Sequence, residues 1–229
     1  MKEITAITVV CNTPEMFGRM YEAFRRFHRR MPLIVIDNSD EGSDCQKHIA
    51  GYASDITSIY QFKENIAHGR GLNFAIQKVK TEYALIMDSD TVILKDPLKE
   101  MMKLFDDNTY GVGCITEVGK DGYDFRAMKA HKVPIPYLHP FFALIRVSEF
   151  WKYKPFVHHG APWYKAAKDL FDKNESHKIK HFNGLRAFDH AADGRLIAVK
   201  TDYVFHDFGG TRRKLKSMGR DEIPQGWMF

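Results

Sequence analysis

Cysteine is scarce in this chain. Cys11, Cys45 and Cys114 are the three it has in 229 residues, scattered and odd in number. Without paired short spacing they suggest neither a zinc site nor a disulfide framework, and the composition fits a reducing compartment. Long apolar runs are missing too. The apolar stretch 4–10 is too short for a signal-peptide core and far too short to cross a bilayer, and no later run is long enough either. These absences predict a cytoplasmic protein with no transmembrane segment, which would reach any membrane-linked partner from the surface. There is also no internal repeat, low-complexity tract or Pro/Gly/Ser linker, which predicts one domain.

What is present is a globular composition, 44% hydrophobic and 28% charged, sufficient to bury a core. Lys and Arg number 34 against 29 Asp and Glu, and the formal charge of +5 hints at an anionic partner: nucleotide, nucleic acid or anionic glycolipid. A basic solvated surface is the competing reading. The β-branched residues 4–10 predict a buried strand, closed by Cys11-Asn12 and by Thr13-Pro14, a helix cap with proline in the first turn. Phe17, Met20, Tyr21, Phe24 and Phe27 then recur at helical spacing and predict a core-facing stripe. Residues 33–36 form a second strand ending at Asp37-Asn38-Ser39. A short helix over 44–53 and a third strand over 56–62 follow.

Strands alternating with helices predict an α/β fold whose ligands sit at the carboxyl ends of strands. Asp37 stands at such an end, where it can accept hydrogen bonds from a base or ribose, or simply form the turn. Further on, Gly69 and Gly71 flank Arg70 at the start of a helix whose buried side is Leu72, Ala75, Ile76 and Val79. Glycines let backbone approach a ligand, arginine pairs with phosphate, and helix N-terminal amides attract anions.

The sharpest signal comes next. The apolar run 83–87 ends at Asp88-Ser89-Asp90, two acids one residue apart, and on extended backbone alternate side chains share a face. Two such carboxylates repel. A divalent cation relieves the repulsion, and hard oxygen ligands suit magnesium or manganese, with phosphate oxygens to complete the shell. An acid-rich turn is the alternative.

In their order these features resemble the family 2 glycosyltransferases with the nucleotide-sugar-binding fold called GT-A. The first strand ends in a nucleoside-contacting turn, here Cys11-Asn12-Thr13, and the second in an Asp that holds the base, here Asp37 with Asn38. Asn65, Gly69, Gly71 and Asn73 match Asn-x-x-x-Gly-x-Gly-x-Asn, and Asp88-Ser89-Asp90 matches Asp-x-Asp. The resemblance implies a single domain over 1–229, a Rossmann-like mixed sheet flanked by helices, with a nucleotide-sugar half (1–96) and an acceptor half (97–229). It implies transfer of a sugar from a nucleoside-diphosphate sugar, a UDP-sugar foremost, to an acceptor hydroxyl with inversion. Mn2+ or Mg2+ would sit on Asp88 and Asp90, and Arg70, Asn73, Asp88 and Ser89 would lie along the donor. His206 matches the C-terminal histidine that some metal-dependent relatives place on the cation, and Arg212 and Arg213 could close over the diphosphate.

The second half is less legible. Helix 98–105, strand 110–115, an irregular charged stretch 119–132 and strand 139–145 are expected. His158 and His159, being adjacent, cannot both face one metal from a regular strand. Trp163 and Tyr164, placed beside the acceptor, could stack on a sugar or fill a core gap. Strands are read over 195–199 and 203–205. The acidic pair that usually carries the family's base is missing, which leaves the base open: Asp189 is the first candidate and Asp169 the second. The acceptor is a glycan, a lipid-linked saccharide or a hydroxylated DNA base. Two rivals remain, a nucleotidyltransferase acting on a sugar phosphate and a non-catalytic nucleotide-sugar-binding module.

Overall fold

A computed structural model describes residues 3–119, 134–157, 161–193 and 195–217. The first half alternates as the apolar pattern requires: β1 (Ile4–Val10), α1 (Pro14–Phe27), β2 (Leu33–Asp37), α2 (Asp44–Ala50), β3 (Thr57–Gln61), α3 (His68–Lys78), β4 (Tyr83–Met87) and the short β5 (Thr91–Ile93). Then come α4 (Leu98–Met102), β6 (Gly111–Val118), β7 (Ile135–Arg146), α5 (Val147–Phe150), α6 (Tyr164–Asp172) and β8 (Ile179–His181). The chain finishes with β9 (Asp189–His190), β10 (Leu196–Ile197), β11 (Val199–Lys200), β12 (Val204–His206) and α7 (Gly210–Ser217).

β1, β2 and β4 are buried along their whole length, as strands covered on both faces must be. They lie inside a seven-stranded sheet of order β3-β2-β1-β4-β7-β6-β8. Pairing is parallel from β3 through β4, antiparallel for β4–β7 and β7–β6, and parallel again for β6–β8. One face packs on Phe17, Met20 and Phe24 of α1 and on Leu98 and Met101 of α4. The other packs on Leu72 and Ile76 of α3 and on Ala166 and Leu170 of α6. This is the expected α/β class, a mixed sheet flanked by helices. α3 lies close to that sheet because Gly71 has no side chain: a Cβ there would stand 3.0 Å from Val9 Cγ2 and 3.2 Å from Ile36 Cγ2.

A second sheet, β11-β12-β5, ties the C-terminal part to the stretch after β4. Its antiparallel register sets His206 opposite Thr91. The expected strand over 195–199 is two short strands instead: Leu196 and Ile197 pair with β9, whereas Val199 and Lys200 pair with β12. The expected helix over 98–105 ends at Met102, and β7 starts at Ile135, earlier than the apolar run suggested.

Trp163 is a core residue rather than a stacking platform. It is 1% exposed, and its indole Nε1 donates to the Tyr110 hydroxyl at 2.7 Å. Phe156 packs edge-on against the same indole. Residues 120–132 of the irregular stretch, and His158 with His159, lie outside the described residues. None of the described helices is long and apolar enough to cross a membrane.

Candidate active site

Asp88 follows β4, and its backbone N–H donates to Phe141 O at 2.9 Å, which extends the β4–β7 pairing by one residue. The chain then turns, Thr91 N–H donating to Asp88 O at 3.1 Å, and enters β5. β5 pairs with β12 and so brings His206 to the two acids: its Nε2 lies 3.5 Å from Asp90 Oδ1 and 3.9 Å from Asp88 Oδ2. One ligand atom from each of Asp88, Asp90 and His206 lies within 4.8 Å of the others. The ring of His206 is fixed on both sides. Its Nδ1 is hydrogen-bonded to Ala187 O, and its plane stacks on Phe141 with centroids 4.6 Å apart.

The electrostatics are those of a site short of positive charge. Burial raises the Asp88 pKa from its ordinary value and Asp90 adds to the rise, with His68 and His206 opposing it. Burial would lower the His206 pKa, but the hydrogen bond and charge of Asp90, then Asp88, outweigh it and hold the imidazole above its ordinary value. Asp88 Oδ1 is buried with no hydrogen-bond partner among the described residues, although His68 Nε2 stands 3.4 Å away. A buried carboxylate oxygen left unbonded is costly, and a divalent cation satisfies it. Two carboxylates and an imidazole whose other nitrogen is already bonded are a donor set that suits Mn2+ or Mg2+.

At the carboxyl ends of β1 and β2 the turns interlock. Asn12 takes a left-handed backbone, φ 51°, its N–H donates to Ser39 Oγ at 2.9 Å, and its amide exchanges hydrogen bonds with Asp40. Asp37 is fully buried. Its Oδ1 accepts from Ser39 N–H at 2.9 Å and its Oδ2 from Gln61 Nε2 at 3.1 Å, so its carboxylate holds the turn together. Cys11 Sγ receives the amide of Asn65 at 3.4 Å. Thr13 Oγ1 and Asn38 Oδ1, by contrast, are buried with no hydrogen-bond partner among the described residues. Unpartnered polar atoms thus collect at the ends of β1, β2 and β4, facing the same edge of the sheet where a ligand of an α/β fold sits.

The other expected site residues fall in several places. Arg70 is exposed on the first turn of α3, with Gly69 buried beside it, and Ser89 is buried between the two acids. Asn73 is committed elsewhere: its amide donates to Phe156 O at 2.7 Å and accepts from Phe156 N–H at 3.0 Å, pinning α3 to the chain after α5. Asp169 is ion-paired with Lys173 at 3.2 Å on α6. Asp189 is half exposed on β9, 3.3 Å from Arg186 and two residues beyond Ala187. Arg212 lies in the first turn of α7, its side chain outside the described part of the structure, and Arg213 is held by Asp207 and by Phe208 O.

Two histidines join the site without having been singled out from the sequence. His68 opens α3 after Ala67, a residue with φ 68° whose N–H is caught by Asn65 Oδ1 at 2.8 Å, and this turn brings the ring to Asp88. His139 stands 6.1 Å from His206, ring to ring, and burial, then His206 and His68, push its pKa well below the imidazole value. His68 sits within the Asn65–Asn73 segment, which was a usable signal. His139, in the middle of an apolar strand, gave none.

A nucleotide-binding type of α/β sheet with paired acids at the end of its fourth strand defines a class, the GT-A sugar-nucleotide transferases. The family model described as glycosyl transferase family 2 matches residues 5–190, and the chain belongs to that family. Among curated proteins none matches by sequence. Of solved structures, a mannosyltransferase from Pyrobaculum calidifontis, in complex with GDP-Man and Mn2+, aligns over 75% of this chain with TM-score 0.55 at 16% identity. This chain spans about half of that protein, 51% of its length. Glucosyl-3-phosphoglycerate synthase from Mycobacterium tuberculosis, in complex with UDP, aligns over 84% of this chain and 74% of its own, with TM-score 0.55 at 16% identity. TarS 1-349 from S. aureus, in complex with UDP-GlcNAc, aligns over 80% and 56%, with TM-score 0.55 at 14% identity. Identities this low establish the shared fold.

Proposed function

We propose that this glycosyltransferase is metal-dependent and moves a sugar from a nucleoside diphosphate to an acceptor hydroxyl with inversion. The observation that carries the reading is the meeting of Asp88 and Asp90, from the turn between β4 and β5, with His206 of β12, Asp88 Oδ1 having no hydrogen-bond partner among the described residues. Asp88, Asp90 and His206 would hold Mn2+ or Mg2+, and a bound cation supplies positive charge against the charge that builds on a departing diphosphate. The Pyrobaculum and mycobacterial proteins, solved with GDP-Man and Mn2+ and with UDP, favour a nucleotide-sugar donor for this chain too.

Thr13 and Asn38 then offer their unpartnered oxygens to the nucleoside, on a turn kept in shape by Cys11, Asn12 and Asp37. Gly69 and exposed Arg70 at the start of α3 would meet the phosphates, and Arg212 would close from α7. Asp189 is the base we favour over Asp169. It lies two residues from Ala187, whose carbonyl holds His206, whereas Asp169 is engaged by Lys173 on α6. In the transfer, the acceptor oxygen bonds to the anomeric carbon as the bond from that carbon to the diphosphate breaks, and the acceptor proton passes to Asp189.

The test is to incubate the protein with UDP-glucose, UDP-GlcNAc and GDP-mannose, with and without Mn2+, and to measure released UDP or GDP. Release that requires Mn2+ and disappears in Asp90→Asn supports the reading. Full release by Asp90→Asn, or none from any donor with the fold intact, overturns it. Diphosphate release from nucleoside triphosphates would instead favour a nucleotidyltransferase.

A further inference from the structure

A half-open cavity of about 630 Å³ lies beside the site, between the middle of β6 and the chain that leads into β9. The wall it shares with the metal cluster is a single short stretch. Ala187 O is bonded to His206, Phe188 packs against His139 and Phe208, and Asp189 lines the cavity. A molecule in this space therefore has the Asp189 carboxylate on one side and the cluster behind it. We propose that the cavity is the acceptor pocket, and that it takes an uncharged, hydroxyl-rich acceptor: a saccharide without phosphate. The inference rests on the glycosyltransferase reading above and adds the substrate class.

Three observations support it. The volume lies in the range of small-molecule sites, roughly 300–1,000 Å³. The lining offers donors and acceptors together: the Thr116 hydroxyl, the Asn183 amide, the His181 imidazole and the Asp202 carboxylate, which is the mixture that hydroxyl groups satisfy. His181 is a donor toward the cavity side, because its Nδ1 accepts from Ile115 N–H at 3.0 Å and its proton therefore rides on Nε2.

Charge decides between acceptors. Arg186 is the lone guanidinium among the lining residues, and Asp189 already compensates it at 3.3 Å. Asp202 adds a second carboxylate, and burial keeps His181 below the usual imidazole pKa and so neutral. A phosphate entering here would meet net negative charge, although the chain as a whole carries +5. Nucleic acid and phospholipid, both bound chiefly through phosphate, fit this lining poorly.

Saturation-transfer NMR with a panel of neutral methyl glycosides and the matching sugar phosphates tests the proposal, on the wild type, Thr116→Trp and Asp202→Lys. At least one neutral glycoside should bind, its signal should vanish in Thr116→Trp, and the phosphates should bind at least about tenfold more weakly. Asp202→Lys, at an exposed position, should narrow that preference. Silence from every neutral glycoside, tighter binding of the phosphates, or a signal unchanged in Thr116→Trp overturns it. Donor hydrolysis in the absence of acceptor is measured in parallel. Circular dichroism reports whether Thr116→Trp folds; should that variant unfold, Asp202→Lys decides. A wild type that hydrolyses no sugar nucleotide defeats the glycosyltransferase reading itself, whatever the NMR shows.

Discussion

At the scale of single residues, the site is a set of side chains each held by a different neighbour. His68 touches Asp88 from α3 and is an orienting contact rather than one of the three clustered ligand groups. His68→Phe should therefore weaken Mn2+ binding by about 10–100-fold, the usual effect of losing an outer partner. Isothermal titration with Mn2+ checks this, and an unchanged affinity would remove His68 from the site. The sequence displayed Asp88 and Asp90 as a pair, because a two-residue period on extended backbone is readable without tertiary information. It displayed His206 through resemblance alone. His139 and the carbonyl of Ala187 could not be read, since nothing local distinguishes a histidine or a carbonyl that ends beside another ring from one that does not.

At the scale of elements, two contacts fix α3, the helix that carries His68 and Arg70. Gly71 allows it to lie on β1 and β2, and Asn73 ties it to Phe156. Gly71→Val should destabilise the protein by about 1–3 kcal/mol, because a side chain 3.0 Å from Val9 must push helix and sheet apart. Asn73→Ala should cost about 1–3 kcal/mol by leaving the Phe156 N–H and C=O without their partner. Urea denaturation measures both, and a neutral Asn73→Ala would mean that this pin is dispensable. Gly71 and Asn73 show how much of this segment's work is internal packing. The glycine makes room for the sheet, and the asparagine binds backbone 83 residues away in sequence.

At the scale of the whole molecule, pH acts through histidines spread over the fold. Burial lowers the His181 pKa, so the unfolded chain binds more protons than the folded one below the unfolded value near 6.5. Its contribution to stability is intact above that value and is lost as pH falls below it. Asp88 and His206 act in the opposite sense, their raised pKa values withdrawing stability as pH rises, so the variant difference is the informative quantity. His181→Asn should lose less melting temperature than the wild type between pH 7.5 and pH 5.5; equal losses would contradict the assignment. The sequence by itself determined the α/β class, the strands β1, β2 and β4 and the two acids that end the last of them. Those depend on apolar periods and turn chemistry within short windows. Tertiary structure alone decided that Trp163 is core, that residues 195–199 divide between two sheets, and that β12 on β5 delivers His206 to the acids. Those outcomes depend on which surfaces meet once the chain has folded back, across 53 residues for Trp163 and Tyr110 and more than a hundred for β12 and β5, and apolar periods read along the chain do not contain that information.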